Sequence, residues 1–224
     1  MLILSKNIMK KQMKNQIDKN RLLNFFLPIS IITFFIICGL LLLPAFWHKI
    51  NPDATGYIQI TQLYANGQIL HAINGYWSPL LSWLLVPFSW LNVDLMIGAR
   101  LLALMSSICI LTIIWVCLRR QKISWQIVAS LLLISSILLL DWSLAGPITG
   151  DLLFLLLVLI VPIVTIRFIN NPNFQNILLL GACGSFLYFA KAIGFYIFIS
   201  YLIAIFVAAK KYDRESIKKY LLVL

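Results

Sequence analysis

Six ionisable side chains stand near the ends of apolar segments and are of types that can bind a phosphate or a metal ion: Asp53, Asp94, Asp141 and Asp151, with Arg100 and Lys191 as the cations. Charges at a membrane boundary are expensive wherever lipid surrounds them, so each needs a reason to be there. Carboxylates and cations from segments far apart in sequence fall on one side of the apolar runs, and such a set can bind a phosphate and a divalent cation together. Each residue also has a plainer reading. Asp53 can cap a helix beginning near Ala54, Asp94 can cap the apolar segment it precedes, Asp141 can face interfacial water, and Thr149 can cap in place of Asp151. Arg100 lies more than a turn inside its apolar run, where an unpaired guanidinium is costly, so an ion pair with Asp94 or Asp151 and a ligand contact are both open. Lys191 can snorkel to headgroups, and His71, alone in a polar loop, reads as structural.

The elements that must position these residues belong in lipid. With 62% hydrophobic and 11% charged residues and a mean hydropathy of +0.95, the chain has too little polar surface to cover a water-soluble globule, where charged residues make up about a quarter. The net charge of +11 would suggest nucleic acid in a soluble domain. Here the basic residues lie in short runs between apolar segments, as in cytoplasmic loops facing anionic lipid, and nucleic acid is not an expected partner. Cys38, Cys109, Cys117 and Cys183 sit inside apolar runs without metal-ligand spacing and read as small buried hydrophobes.

Residues 1–21 read as a basic cytoplasmic tail, and 22–47 as a first span that lacks the short apolar core and cleavage site of a signal peptide. Residues 48–94 are expected as an outer loop with two surface helices. One carries Tyr57, Ile60 and Tyr64 at helical spacing between Asp53 and Gly67; the other, over 79–91, carries Trp83 and Trp90 in the interfacial belt. Spans follow at 95–118, 125–140 and 152–166. The apolar stretch 176–209 is long for one crossing and short for two. A single crossing would leave "KKYDRESIKK" outside, against the positive-inside rule, so a break near 191–194 is expected, with Gly181, Gly184 and Ser185 letting the first half pack closely on a neighbour. Fifteen of the eighteen Lys and Arg then face the cytoplasm, and Lys49, Arg100 and Lys191 face outward. The expected fold is all-α: a polytopic transmembrane helical bundle of about six spans plus the start of a seventh, with short surface helices in the first outer loop. The expected division is a tail over 1–21 and one membrane module over 22–224, and the apolar start "YLLVL" at the end suggests truncation.

The local wording adds a resemblance. "NPDATGYIQITQLYANGQI" is an outer-loop acidic motif followed by a Tyr-bearing surface helix, and "NGYWSPLLSWLLVPF" opens a second surface helix on a Pro-Leu pair. "MIGARLLALMSS" starts a span with an arginine, "PITGDLLFLLL" heads another with an outer acid, and "LGACGSFLYFAKAIGF" is a small-residue helix ending in a lysine. In this order the segments resemble the GT-C superfamily of membrane glycosyltransferases, in the branch of protein O-mannosyltransferases and lipid A aminoarabinose transferases. The resemblance covers most of residues 22–209.

It implies a plasma-membrane enzyme, with its N-terminus in the cytoplasm, that moves a sugar from a polyprenyl-phosphate donor to an acceptor at the outer face. It implies Asp53 as base or metal ligand, Asp151 as a second metal or acceptor contact, Tyr57 on the substrate, Arg100 and Lys191 on the phosphate, and a divalent metal ion as the cofactor for which the two carboxylates leave room. Two features depart from the pattern: Ala54 follows Asp53 where many relatives carry an acidic pair, and relatives have further spans and often a soluble C-terminal domain. Two readings of other classes stand beside it, a transporter or lipid-handling protein whose charges line a pathway, and a non-catalytic fragment of a transferase. Transporters often carry inverted repeats, and no internal repeat is visible here.

Overall fold

The computed structural model describes residues 26–121 and 123–211. The basic tail over 1–21, Lys122, most of the "KKYDRESIKK" run and the expected start of a seventh span lie outside the described residues. Those described are all-helical, without strands. In chain order the helices are α1 (Phe26–Phe46), α2 (Pro52–Ala65), α3 (Ile69–Ala72), α4 (Leu80–Trp90), α5 (Leu95–Arg120), α6 (Trp125–Leu144), α7 (Asp151–Asn170), α8 (Phe174–Ala190) and α9 (Ile193–Lys211).

Four of these, α1, α5, α6 and α7, are long and apolar enough to cross a bilayer, and α8 and α9 are apolar with a shorter described apolar length. The protein is therefore a helical membrane protein, with four candidate spans among the described residues. Lipid accounts for what would be a fault in water: Phe34, Leu41 and Leu138 are 66%, 74% and 66% exposed, and a soluble fold would have buried such a belt. Hydroxyls inside these helices return to the backbone a turn earlier, Thr112 to the Ile108 carbonyl, Thr165 to Val161 and Ser106 to Leu102. No polar group is then left open to hydrocarbon at those positions.

α5 is the axis of the packing. Its outer flank joins α1, α6 and the start of α7 in a core built on Phe35, Leu104, Leu111 and Leu132. Its first turns join α2 and α4 around Ala54, Tyr57, Leu85 and Ala99. A third core, with Val161, Cys183 and Leu187, ties α7 to α8 and α9. Asp94 starts α5 by accepting hydrogen bonds from Met96 N (2.7 Å) and Ile97 N (3.4 Å), the capping role that its position suggests.

Two boundaries and one helix face differ from the sequence reading in ways that matter. α6 continues through Leu144, so Asp141 lies within the helix, exposed near its end. α7 begins at Asp151 itself and runs to Asn170. The first outer-loop helix does more than lie on a surface: Tyr57 and Ile60 are 5% and 6% exposed, because α2 packs its buried face against α4. The break expected near 191–194 is present. Lys191 adopts an extended backbone between α8 and α9, and α9 returns along α8 because Gly194 sits against the Leu187 carbonyl, where a side chain would not fit.

Candidate functional site

Antiparallel helices joined by short links bring alternate ends together. The links after α1 and α6, the starts of α2, α5 and α7, and the α8–α9 joint all meet at one end of the bundle, as cross-links among Lys49, Asn51, Arg100, Gly146, Ile148, Asp151 and Lys191 demonstrate. Arg119, Arg120 and Arg167 occupy the far ends of α5 and α7, about 30 Å away for helices of this length.

Four of the five expected site residues converge here. Lys191 forms an ion pair with Asp151 across the α7 start, both side chains being partly exposed. Thr149 donates to the other oxygen of Asp151 at 2.7 Å, so the carboxylate is gripped from two sides. Thr149 is thus a partner of Asp151 and not a substitute for it, and the N-cap of α7 is Gly150. Tyr57 lies on α2 one turn after Asp53, its ring edge-on to Trp77 with centroids 5.2 Å apart. Burial pushes the Tyr57 phenol above its ordinary value, a backbone hydrogen bond with Gly150 works against that, and the negative charges of Asp151 and Asp53 raise it further. The phenol therefore lies near enough to both carboxylates to feel their charge.

Asp53 occupies the first turn of α2 behind Asn51 and Pro52. Among the described residues it makes no hydrogen bond or ion pair, so the capping reading does not account for it. Its exposure is partial, and it faces the same region as Tyr57 and Asp151.

Arg100 is placed differently from either sequence reading. It is 2% exposed and pairs with neither Asp94 nor Asp151. Its Nη1 donates to the Gly146 carbonyl at 2.7 Å and to Ser143 at 3.3 Å, and its Nη2 donates to Lys49 at 2.9 Å, while Nε has no partner among the described residues. The space beside it, lined by Trp142, Pro147, Ile148 and Thr149, is about 20 Å³. That holds about one water and not a phosphate. The guanidinium is committed to the backbone, whereas the Lys191 ammonium is partly exposed beside Asp151.

Sequence reasoning missed Asn51, Asn74 and Trp77. Asn51 accepts from Ile148 N at 2.9 Å across the two links. Asn74 accepts from Tyr76 N and Trp77 N, a turn that aims Trp77 at Tyr57 and at Gly56, where a Cβ would stand 2.7 Å from the indole. The only sequence signals were an Asn before Pro and an Asn-Gly pair, both common in loops. Asp53 and Asp151 are the only expected metal ligands, Asp151 already carries Thr149 and Lys191, and no three of His, Cys, Asp and Glu come together among the described residues. Comparison with protein-family models, curated proteins and solved structures finds no match to this chain.

Proposed function

We propose that the protein is a membrane glycosyltransferase, or the part of one that holds its reaction centre, moving a sugar from a polyprenyl-phosphate donor to a hydroxyl-bearing acceptor at the outer face of the plasma membrane. The observation that carries this reading is the meeting of Asp53, Tyr57, Asp151 and Lys191 at the end of the bundle away from the basic helix ends. A donor anchored in the outer leaflet presents its phosphate at that level, and the acceptor arrives from water. On this reading α8 and α9 are also spans, giving six, and the N-terminus is cytoplasmic.

The chemistry follows from the residues. The acceptor oxygen attacks the anomeric carbon, its proton passes to the Asp53 carboxylate, the carbon–oxygen bond to phosphate breaks, and the phosphate leaves with the electron pair. Asp53 is free for this because no donor among the described residues occupies it. Lys191 stabilises the charge that grows on the leaving phosphate, and Asp151 holds the ammonium in place until the phosphate competes for it. Tyr57, kept as the neutral phenol, can hydrogen-bond the sugar or acceptor without adding negative charge near two carboxylates.

The test is binding in lipid nanodiscs. Polyprenyl monophosphate should bind at least about tenfold more tightly than the matched polyprenol, the equivalent of one charge-assisted contact, and Lys191→Ala should remove most of that preference. Equal binding of the two lipids would sink the proposal. A transporter would share the preference but would move the lipid without transferring the sugar, and mass analysis of the acceptor separates these outcomes.

A further inference from the structure

The geometry points to Arg100 and Asn51 as positioning residues that fix the spacing between the loop delivering Asp53 and the loop delivering Asp151. The inference deepens the transferase reading, although its structural half stands without it.

The link between α6 and α7 is held at alternate points by three different elements. Arg100 of α5 binds the carbonyls of Ser143 and Gly146, the Asn51 side chain binds Ile148 N, and Tyr57 of α2 meets the backbone of Gly150. Asp151 follows directly. On the other side, the second amine of Arg100 binds the Lys49 carbonyl, four residues before Asp53, and Asn51 stands two residues before it. One buried guanidinium therefore joins the two loops that lead into the acids, and one amide joins them again nearer to the acids.

The residue types suit this task. The last carbonyls of a helix have no partner within it, and a cation is favoured at that negative end. Ser143 lies in the last turn of α6 and Gly146 just beyond it. A planar fork with two separate terminal nitrogens can hold acceptors on two chains at once, and an ammonium on a flexible stem does so poorly. Replacing buried charged groups by apolar side chains of similar volume is often neutral or stabilising. Fold stability alone does not explain Arg100, whereas a cross-link between the two loops does. A further bond, Ser107 to Ser143 at 2.9 Å, joins the same two helices deeper in the bundle without touching either loop, and serves as a control.

The experiment measures distance directly. Nitroxide labels at Thr55 and Pro147, both exposed, are introduced into a chain lacking its native cysteines, and their separation is read by pulsed electron paramagnetic resonance in nanodiscs. The parent should give one narrow distribution. Arg100→Met and Asn51→Ala should each at least double its width, Arg100→Lys should fall between, and Ser107→Ala should leave it narrow. Asn51→Asp, which keeps the acceptor for Ile148 N, should restore the parent width. If Arg100→Met does not accumulate, the Asn51 pair decides alone. An unbroadened Asn51→Ala distribution, or equal broadening by Ser107→Ala, overturns the inference. With sugar transfer as readout, Asn51→Ala should lower turnover by about a hundredfold, the cost of misplacing reacting groups by about 1 Å, with donor affinity changed less than about threefold. Loss of donor binding to the same degree as turnover would also overturn it. Absence of any preference for phosphorylated lipid would instead remove the transferase reading and leave the distances to judge the clasp.

Discussion

Asp53 and Asp94 are the same residue type at the start of adjacent helices, and the structure separates them. Asp94 spends its carboxylate on Met96 N and Ile97 N, whereas Asp53 has no such use. Asp53→Asn should therefore leave protein abundance unchanged, because Asp53 makes no hydrogen bond or ion pair among the described residues and Pro52 already starts α2. Removing the proton acceptor should cut transfer by about a hundred- to ten-thousand-fold, read as product formed per molecule inserted; retained transfer would return Asp53 to a structural role. Tyr57 makes a second residue-level case. Its phenol titrates above the ordinary value because burial and two nearby carboxylates oppose a phenolate. A group with a raised folded-state value contributes stability that is complete below the unfolded value of about 10 and is lost as pH climbs past it. The melting temperature of the parent should fall more steeply above pH 10 than that of Tyr57→Phe, as followed by circular dichroism in detergent, and parallel curves would contradict a buried phenol near the two acids.

At the scale of elements, α8 and α9 show how a short joint can be legible while its packing is not. The length and charge balance of the 176–209 stretch required a break, and the break falls at Lys191, where an extended residue places the ammonium beside Asp151. Three small residues of α8 were expected to allow close approach. Only Gly184 is used that way: a Cβ there would lie 2.5 Å from the Phe198 ring, whereas at Gly181 it would meet nothing within 4 Å. Gly184→Val should accordingly destabilise the α8–α9 pair by about 1–3 kcal/mol through overpacking, and Gly181→Val should be nearly neutral. Thermal inactivation in detergent, scored by retention of a monodisperse elution peak, distinguishes them, and equal effects would mean that α9 is not packed where the structure places it.

At the scale of the whole molecule, the separation of acids from basic helix ends is an orientation statement. Single cysteines at Asn66 and Asn74, on the α2–α4 side, should react with an impermeant thiol reagent added outside intact cells. One at Asn173, in the α7–α8 link, should react only after permeabilisation. Asn173 labelling from outside would reverse the proposed orientation and place the candidate site in the cytoplasm.

Hydropathy, charge parity and turn residues act locally or as sums, so the sequence by itself determined the membrane solvent, the helices, the break at Lys191 and the end of the bundle at which Asp53, Asp151 and Lys191 gather. Antiparallel connection forces alternate ends together whatever the packing, and five short motifs in order were enough to suggest a transferase. What only the tertiary structure decided is which group each charge meets. Arg100 looked like a phosphate ligand or half of an ion pair because its cost in lipid demands a partner, but the partners are carbonyls of Lys49, Ser143 and Gly146. Carbonyls are present at every residue and leave no mark in the sequence. The same holds for Asn51 with Ile148 N and for Tyr57 with Gly150: a side chain that binds backbone is matched by position in space, and position is fixed by how α2, α5 and the α6–α7 link pack.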